Sequence, residues 1–398
     1  MISLFEKLNN DSIKTLVDFL KSAEGLNDND VDEYIKLLSK HAKKSGIQQQ
    51  DFDTFFNKHG LSKLNWGRKN SASKQFTELF SDNDNLDALM YVVKNDGMIS
   101  INDINNNGNI FDYCKNDQCD FRDEAHTIAT WLNSTSANAG PCEMLLKFIL
   151  KEGATLSSGD VGIKYSSKEE EMEVKAATTG KNASGGHAAG QKSNPNTNQK
   201  IRGAWSIYLY LNKNLFNISD DNASADKAAY FQNEAGLKTF NTLLKDKKLL
   251  NDPKQISDGI VDAICFQYDY ITNEDNSKNS LSTINELKSS AYAFIQEIID
   301  KNTGFTKQNL LNLVGCIQLY LYSQIEGFNY FFCVQIDKSD ESTNKDNGNY
   351  WCVKNCKDKN SPLLDFKNVI DNLYFGTLDS PTSSQGRTGK IYMKQLDK

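Results

Sequence analysis

Three acidic residues and a lysine lie along the middle of the chain in an order that could bind a metal ion and activate water. Glu143 begins an apolar run, Asp160 follows a glycine, and Glu173 and Lys175 stand two positions apart. Hard divalent cations prefer carboxylate ligands, and a neighbouring lysine can orient the attacking water or offset charge on a phosphate. The pattern predicts metal-assisted hydrolysis of a phosphodiester bond.

A β-hairpin is the element that would position most of these residues. Residues 160–165 and 172–177 have the composition of two strands, joined by a polar turn over 166–170. Residues two apart on a strand project from the same face, so Glu173 and Lys175 would point the same way. The glutamates at 169–171 are interpreted as part of a solvated turn rather than as metal ligands.

The register of this hairpin can also be predicted. Folding the chain about residues 166–169 pairs positions whose numbers sum to about 335. That register sets Asp160 opposite Lys175 and Gly162 opposite Glu173. Asp160, Glu173 and Lys175 would then share one face within a few ångströms of each other, as a metal site requires.

A helix over 141–150 would supply the remaining acid. Glu143 shares a helical face with Leu146 and Leu150, three and seven positions further on. A carboxylate on an apolar stripe is costly to bury unless a cation pairs with it. A metal ion or Lys175 could be that partner.

These residues resemble the PD-(D/E)xK, or restriction-endonuclease-like, nucleases. The resemblance rests on Glu143, Asp160 and Glu173-Val-Lys175 and spans 143–175; Gly159 replaces the proline of the family motif. It implies a mixed sheet flanked by helices, in which Asp160 and Glu173 bind Mg²⁺ or Mn²⁺. Lys175 would act on the water or the phosphate, and Glu143 would be the accessory acid that helps to hold the metal.

A branch of this family from tailed phages is more specifically similar. Its Gly-Pro-Gly-Glu, Gly-Asp-Leu and Glu-Val-Lys order, followed by a glycine-rich stretch, resembles Gly140-Pro-Cys-Glu143, Gly159-Asp-Val, Glu173-Val-Lys and residues 185–191 here. Some proteins of that branch are virion components. The resemblance therefore implies DNA and other virion proteins as partners, and host cytoplasm or the virion as location.

Any contact with DNA has to be local, because the formal net charge is −7. No Asp or Glu occurs from 176 to 202, and residues 178–200 are predicted to form a mobile loop. The candidate nucleic-acid-binding residues of this segment are Lys181, His187, Gln191, Lys192, Lys200 and Arg202.

The 398-residue chain is long enough for more than one core, and its patterns predict an α+β fold. We expect a helical N-terminal domain over 1–97, with helix N-caps in 27–30 and 82–85. An Asn/Asp-rich connector would span 98–120, and its residues 102–109 would bury little. A nuclease-like domain over 121–398 would contain a helical insertion at about 220–325. The segments that favour β-strands are 330–336, 350–353, 373–378 and 389–393. Residues 204–216 could form a helix or a strand, and their aromatic residues favour the strand.

Several other classes of protein or site are disfavoured. No stretch is apolar enough to span a membrane, and the N-terminus does not have the pattern of a secretory signal. The eight cysteines do not have zinc-ligand spacing, and Cys265, Cys316 and Cys333 are interpreted as small core residues. The connector does not match a calcium loop.

The sequence supports three hypotheses for function. The first is a Mg²⁺-dependent deoxyribonuclease. The second is a phage structural protein, such as a neck, head or internal virion component, which keeps the fold without catalysis. The third is a modification-dependent or processing factor whose helical N-terminal half recruits a partner.

Overall fold

A computed structural model provides the fold. It describes residues 26–59, 77–125, 127–128, 141–154, 161–164, 168–177, 187–188, 207–208, 210–219, 234–267, 284–301, 304–335, 348–376 and 390–394. Contacts divide the chain into two compact units. The first unit comprises 1–176, 330–334 and 343–352, and the second comprises 177–329, 335–342 and 353–398.

Four α-helices have bounds in the described part of the first unit: α1 (Asp28–Ser45), α2 (Gln49–Lys58), α3 (Asn83–Lys94) and α4 (Pro141–Ile149). Two of them, α1 and α3, begin where the sequence predicts caps. The side chain of Asn27 accepts a hydrogen bond from the backbone N–H of Asp30, and that of Asp82 accepts one from Asp84. Both side chains satisfy amide groups that a helix leaves unpaired, so the two predicted N-caps are confirmed.

A six-stranded sheet has the strand order β1-β7-β6-β4-β3-β2. Its strands are β1 (Asn107–Asn109), β2 (Gly153–Ala154), β3 (Val161–Lys164), β4 (Glu169–Ala177), β6 (Tyr330–Gln335) and β7 (Asn349–Lys354). The predicted strands at 330–336 and 350–353 are confirmed as neighbours. Phe332 and Tyr350 stack across them with ring centroids 4.6 Å apart, which is the cross-strand packing that aromatic pairs favour.

The Asn-rich connector is part of this sheet. Asn107 to Asn109 pair antiparallel with β7, and Ile104 and Ile110 are buried on either side of them. Only Ile104 is buried among residues 102–109, so the prediction that they bury little is confirmed, although the strand that they contain was not predicted. Isolated isoleucines among asparagines anchor the edge of the sheet, although they are too sparse to give a strand pattern.

The β3–β4 hairpin is confirmed, but its register differs from the predicted one. Val161 pairs with Met172 and Gly162 pairs with Glu171, so the predicted pairing of Gly162 with Glu173 is wrong. β4 begins at Glu169, inside the predicted turn, and Glu169 lies opposite Lys164, which brings opposite charges together. The displacement is two residues, so each side chain of β4 keeps its predicted face.

The described residues of the second unit include four long helices. They are α5 (Glu234–Asp246), α6 (Pro253–Gln267), α7 (Ile284–Asp300) and α8 (Lys307–Glu326), and the short helix α9 (Phe366–Asn372) follows the last of them in sequence. The helical pattern predicted for 220–325 is thus confirmed where the structure describes it. Cys265 and Cys316 lie in the buried faces of α6 and α8, as predicted for core cysteines.

A three-stranded sheet in this unit has the order β5-β9-β8. β5 (His187–Ala188) pairs with β9 (Lys390–Met393), which also pairs with β8 (Leu373–Phe375). The predicted pair of C-terminal strands is confirmed. The prediction of a mobile loop over 178–200 is wrong for the two residues of β5, because they form backbone pairs with β9.

The strand favoured for 204–216 is wrong, and the described residues of this segment take the helical alternative. Ile207 and Tyr208 are helical, and Leu211–Leu215 form a π-helical turn. Ile207, Leu211 and Leu215 are buried at a four-residue spacing, which is helical rather than alternating. The aromatic residues of this segment favour strands by propensity, and packing overrides that preference.

The predicted domain boundaries stay predictions. The segments 1–97 and 98–120 group with the six-stranded sheet in the first unit, so the limits drawn at 97 and 120 do not coincide with the division between the two units. Within the described residues, no helix is long and apolar enough to cross a membrane.

Gly315 of α8 allows close packing, and its substitution tests that packing. A Cβ atom on Gly315 would lie 2.1 Å from Cδ1 of Phe375, whereas one on Gly259 of α6 would meet only the end of Leu215, at 2.9 Å. We expect Gly315→Ala to lower the free energy of unfolding by about 1–3 kcal/mol through overpacking. Gly259→Ala should cost less, because Leu215 can shift. Urea denaturation of both variants measures this difference, and the reverse order would contradict the packing described.

A buried histidine joins α1 to α3. The ring of His41 lies 2.6 Å from a carboxylate oxygen of Asp87 and 3.0 Å from the amide oxygen of Asn83, and Lys44 donates to the other oxygen of Asp87. Burial raises the pKa of Asp87, but the hydrogen bonds from Lys44 and His41 outweigh it and hold this pKa below its ordinary value.

The lowered pKa of Asp87 predicts a loss of stability in acid. A carboxyl group with a depressed pKa in the folded state stabilises the fold above its unfolded pKa, and this stabilisation is lost as pH falls through the folded pKa. Asp87→Asn should therefore be less stable than wild type at pH 7, and the difference should shrink between about pH 5 and pH 2. Denaturation at several pH values measures it, and a difference independent of pH would contradict the assignment.

Candidate functional site

Strand β4 separates its side chains into two faces. Val174 and Met172 are buried, and Met172 lies opposite Val161 of β3. Glu173 and Lys175 project from the other face, as the two-residue period of a strand requires. Glu173 is only 5% exposed, so a carboxylate is held within the sheet rather than in solvent.

Glu173 and Lys175 form a direct ion pair. The Lys175 ammonium contacts Oε1 of Glu173, and the two side chains are 18% and 7% exposed. A carboxylate removed from water in this way requires a cation, because unpaired burial costs several kcal/mol. The prediction that these two side chains project from one face of the strand is confirmed. Chemically, the pair combines a carboxylate, the kind of group that can bind a cation, with an ammonium group, which can donate hydrogen bonds to an anion.

A third side chain belongs to the same region of the sheet. β6 is the neighbour of β4, and its residue Cys333 is fully buried. Burial raises the pKa of the Cys333 thiol to about 12, and the positive charge of Lys175 partly opposes this increase. Cys333 is therefore a neutral thiol within electrostatic range of Lys175.

The glutamates before the motif are part of the strand. Glu171 lies opposite Gly162 on the face of Glu173, and Glu169 shares that face. Glu170 points to the other side, is 6% exposed and contacts Lys168. The interpretation of 169–171 as a solvated turn is wrong. The alternation of Glu171, Glu173 and Lys175 with Met172 and Val174 extends the strand pattern only to Glu171, because Glu170 is charged at a position that faces the core.

Glu143 lies in the first turn of α4, next to Pro141 at the start of the helix. Leu146 and Leu150 are fully buried, as predicted for the apolar stripe. Glu143 itself is half-buried, so it stands at the edge of the stripe rather than within it. α4 packs against β2 and β3, and β3 pairs with β4.

The other predicted site residues fall largely outside the described part of the chain. Asp160 directly precedes β3 and is not described, and neither are Lys181, Gln191, Lys192, Lys200 and Arg202. His187 pairs with Ile391 in the three-stranded sheet, and its side chain is not described.

A metal centre is consequently tested only in part. Among the described residues, no group of three His, Cys, Asp or Glu side chains could hold a metal ion. Asp160 lies outside the described residues, so the metal-binding set of Asp160, Glu173 and Glu143 stays a prediction. The eight cysteines are free thiols, seven of them buried, and Cys119 is partly exposed.

Known proteins do not add to this description. Comparison of the chain with protein-family models, with curated proteins and with solved structures finds no match. The function has to be argued from the chemistry of β4 and of the residues that surround it.

Proposed function

We propose that the protein is a metal-dependent nuclease that cleaves DNA phosphodiester bonds with a PD-(D/E)xK-like core. One observation carries the proposal: Glu173 and Lys175 form an ion pair, almost removed from solvent, on one face of a strand that pairs with β3. Asp160 directly precedes β3 in sequence. The order of helix acid, Asp, and Glu-x-Lys on the next strand supports the same reading.

Each residue has a role in this proposal. Asp160, Glu173 and Glu143 would hold Mg²⁺ or Mn²⁺, because carboxylates match the preference of these ions for oxygen ligands. The bound metal would supply polarisation of the phosphoryl oxygen and a more acidic water. Lys175 would orient that water and offset the charge that develops on the scissile phosphate.

The acid-free segment that follows β4 would contact the DNA. Its candidate residues are Lys181, His187, Gln191, Lys192, Lys200 and Arg202. Contacts with phosphates orient a duplex and weaken as salt rises. A protein with a net charge of −7 would concentrate this attraction next to its site rather than over its whole surface.

A second function is favoured by one feature of the same site. Lys175 already neutralises Glu173, so the pair can persist as a buried ion pair without a metal. That property suits a phage virion structural protein, in the neck, the head or the interior of the particle, which keeps a nuclease-like fold without activity. Its partners would be DNA and other virion proteins, and its location would be the virion or the host cytoplasm.

Cleavage assays separate the two functions. We expect the wild-type protein to cut plasmid, linear duplex or single-stranded DNA with Mg²⁺ or Mn²⁺. Asp160→Asn, Glu173→Gln and Lys175→Met should each reduce the rate by about 10²-fold or more. Glu169→Gln is the matched control, because Glu169 is an exposed carboxylate on the same face of the same strand.

The outcomes are distinct. If the control loses as much cleavage rate as the three site variants, the roles assigned to Asp160, Glu173 and Lys175 are wrong. Absence of cutting with either metal, together with copurification in intact particles, would establish the structural function instead.

Metal binding gives a prediction that does not depend on turnover. A cation that binds only the folded state raises the melting temperature by mass action. We therefore expect millimolar Mg²⁺ to raise the melting temperature of wild type but not of Glu173→Gln, measured by differential scanning calorimetry. An equal shift in both proteins would show that Glu173 is not a ligand.

A further inference from the structure

His59, the residue after α2, is fully buried at the C-terminal end of α4. Its Nδ1 lies 2.5 Å from the backbone carbonyl oxygen of Lys147, and its Nε2 lies 3.3 Å from Oδ1 of Asp96. The ring of Phe55 stacks on the imidazole with centroids 4.1 Å apart. Contacts with Lys147, Asp96 and Phe55 thus hold the imidazole on three sides.

The contact with Lys147 has a definite direction. A carbonyl oxygen can only accept a hydrogen bond, so Nδ1 of His59 must carry the proton and donate it. Lys147 lies in the last turn of α4, where carbonyl groups have no partner within the helix. A histidine donor at such a carbonyl terminates the helix and compensates its dipole.

Other groups hold the same end of the helix. The Lys58 ammonium contacts the backbone carbonyl of Lys151 as well as the carboxylate of Asp96. The backbone N–H groups of Met98 and Ile99 both donate to the carbonyl of Ile149. The segments around α2 and α3 therefore satisfy the carbonyl groups with which α4 ends.

Strand β2, which pairs with β3, packs against the imidazole of His59. A Cβ atom on Gly153 of β2 would lie 3.0 Å from Nδ1 of His59 and 2.8 Å from the carbonyl oxygen of Lys147. Only a glycine leaves room for both. β2 pairs with β3 and β3 pairs with β4, so the imidazole contacts the helix of Glu143 and the edge of the sheet of Glu173 together.

We propose that His59 is a positioning residue for the site, which fixes α4 so that Glu143, one helical turn before Lys147, is held on the side of β3, the strand that pairs with β4. The inference rests on the proposed nuclease function and deepens it. It gives the helical N-terminal segment a role inside the site, as the support of the accessory acid, instead of the recruitment of a partner.

Two substitutions of His59 isolate the donor. Asparagine places an amide N–H near the position of Nδ1 and can still donate to Lys147, whereas glutamine reaches toward the position of Nε2 and cannot replace that donor. The matched control is His41→Gln, because His41 is also a buried histidine paired with an Asp, but it links α1 to α3 and does not bond to α4.

The first measurement is the Mg²⁺ concentration that half-saturates DNA cleavage. We expect His59→Gln to raise it about 10-fold, as loss of a residue that orients a metal ligand does. His59→Asn and His41→Gln should stay near the wild-type value, even if all three variants lose stability. Equal shifts in His59→Gln and His41→Gln, with no recovery in His59→Asn, would overturn the inference.

The second measurement is amide hydrogen exchange of α4, which does not require activity. We expect faster exchange at 145–151 in His59→Gln but not in His41→Gln. If wild type cuts DNA and α4 exchanges at the same rate in both variants, the positioning role is wrong while the nuclease function stands. If wild type does not cut DNA, the nuclease function fails, and the exchange data still decide whether His59 fixes α4.

A milder variant covers the case in which His59→Gln does not fold. Lys58→Met removes the contacts to Lys151 and Asp96 from a side chain that is 28% exposed. It should produce a smaller change in the same direction in both measurements. An unchanged half-saturating Mg²⁺ concentration and unchanged exchange in Lys58→Met would overturn the inference on their own.

Discussion

A carboxylate buried in a sheet has to be paired, and the pairing of Glu173 with Lys175 meets this requirement within a single strand. The two-residue period of β4 aligns the two side chains and sends Met172 and Val174 into the core. A displacement of the strand by one residue would expose the apolar pair and bury the charges on the wrong side. The register of β4 is therefore fixed jointly by hydrophobic burial and by electrostatics.

The same constraint explains the order of the surrounding elements. β4 lies inside the sheet, with β3 on one side and β6 on the other. Its polar side chains therefore lie on the face of the sheet and not at its edge. β3 and β2 carry α4, and the segments after α2 and α3 close the C-terminal end of that helix. Each of these contacts restricts the movement of the element that it joins to the sheet. A site of this kind depends on residues far from its charged groups, because their packing sets where those groups point.

Local patterns in the sequence predicted the elements better than they predicted the pairings. Caps at Asn27 and Asp82, the hairpin, and the face shared by Glu173 and Lys175 follow from spacing alone. The register of the hairpin does not, because a shift of two residues leaves every side chain on the same face and changes only the length of the turn. Turn geometry makes that choice, and the glutamates before the motif do not reveal it.

Long-range contacts were the least predictable part of the site. The role of His59 depends on Lys147, which is 88 residues away in sequence. A single histidine after a short helix belongs to no sequence pattern that predicts a partner so far away in the chain. Similarly, β1 has only three residues, and its pairing with β7 becomes visible only when the sheet is assembled. The aromatic residues of 204–216 show the opposite case, in which a strong local propensity pointed to the wrong element.

The chain order of the six-stranded sheet has a consequence for synthesis. β4 ends at Ala177, and its neighbour β6 begins at Tyr330, about 150 residues later. At translation rates of about 5–20 residues per second, roughly 8–30 s pass before that neighbour leaves the ribosome. During this interval one side of β4, including the backbone of Glu173 and Lys175, remains an unpaired edge. The nascent protein thus has to protect its central strand from other chains before it can complete the surface that would carry its chemistry.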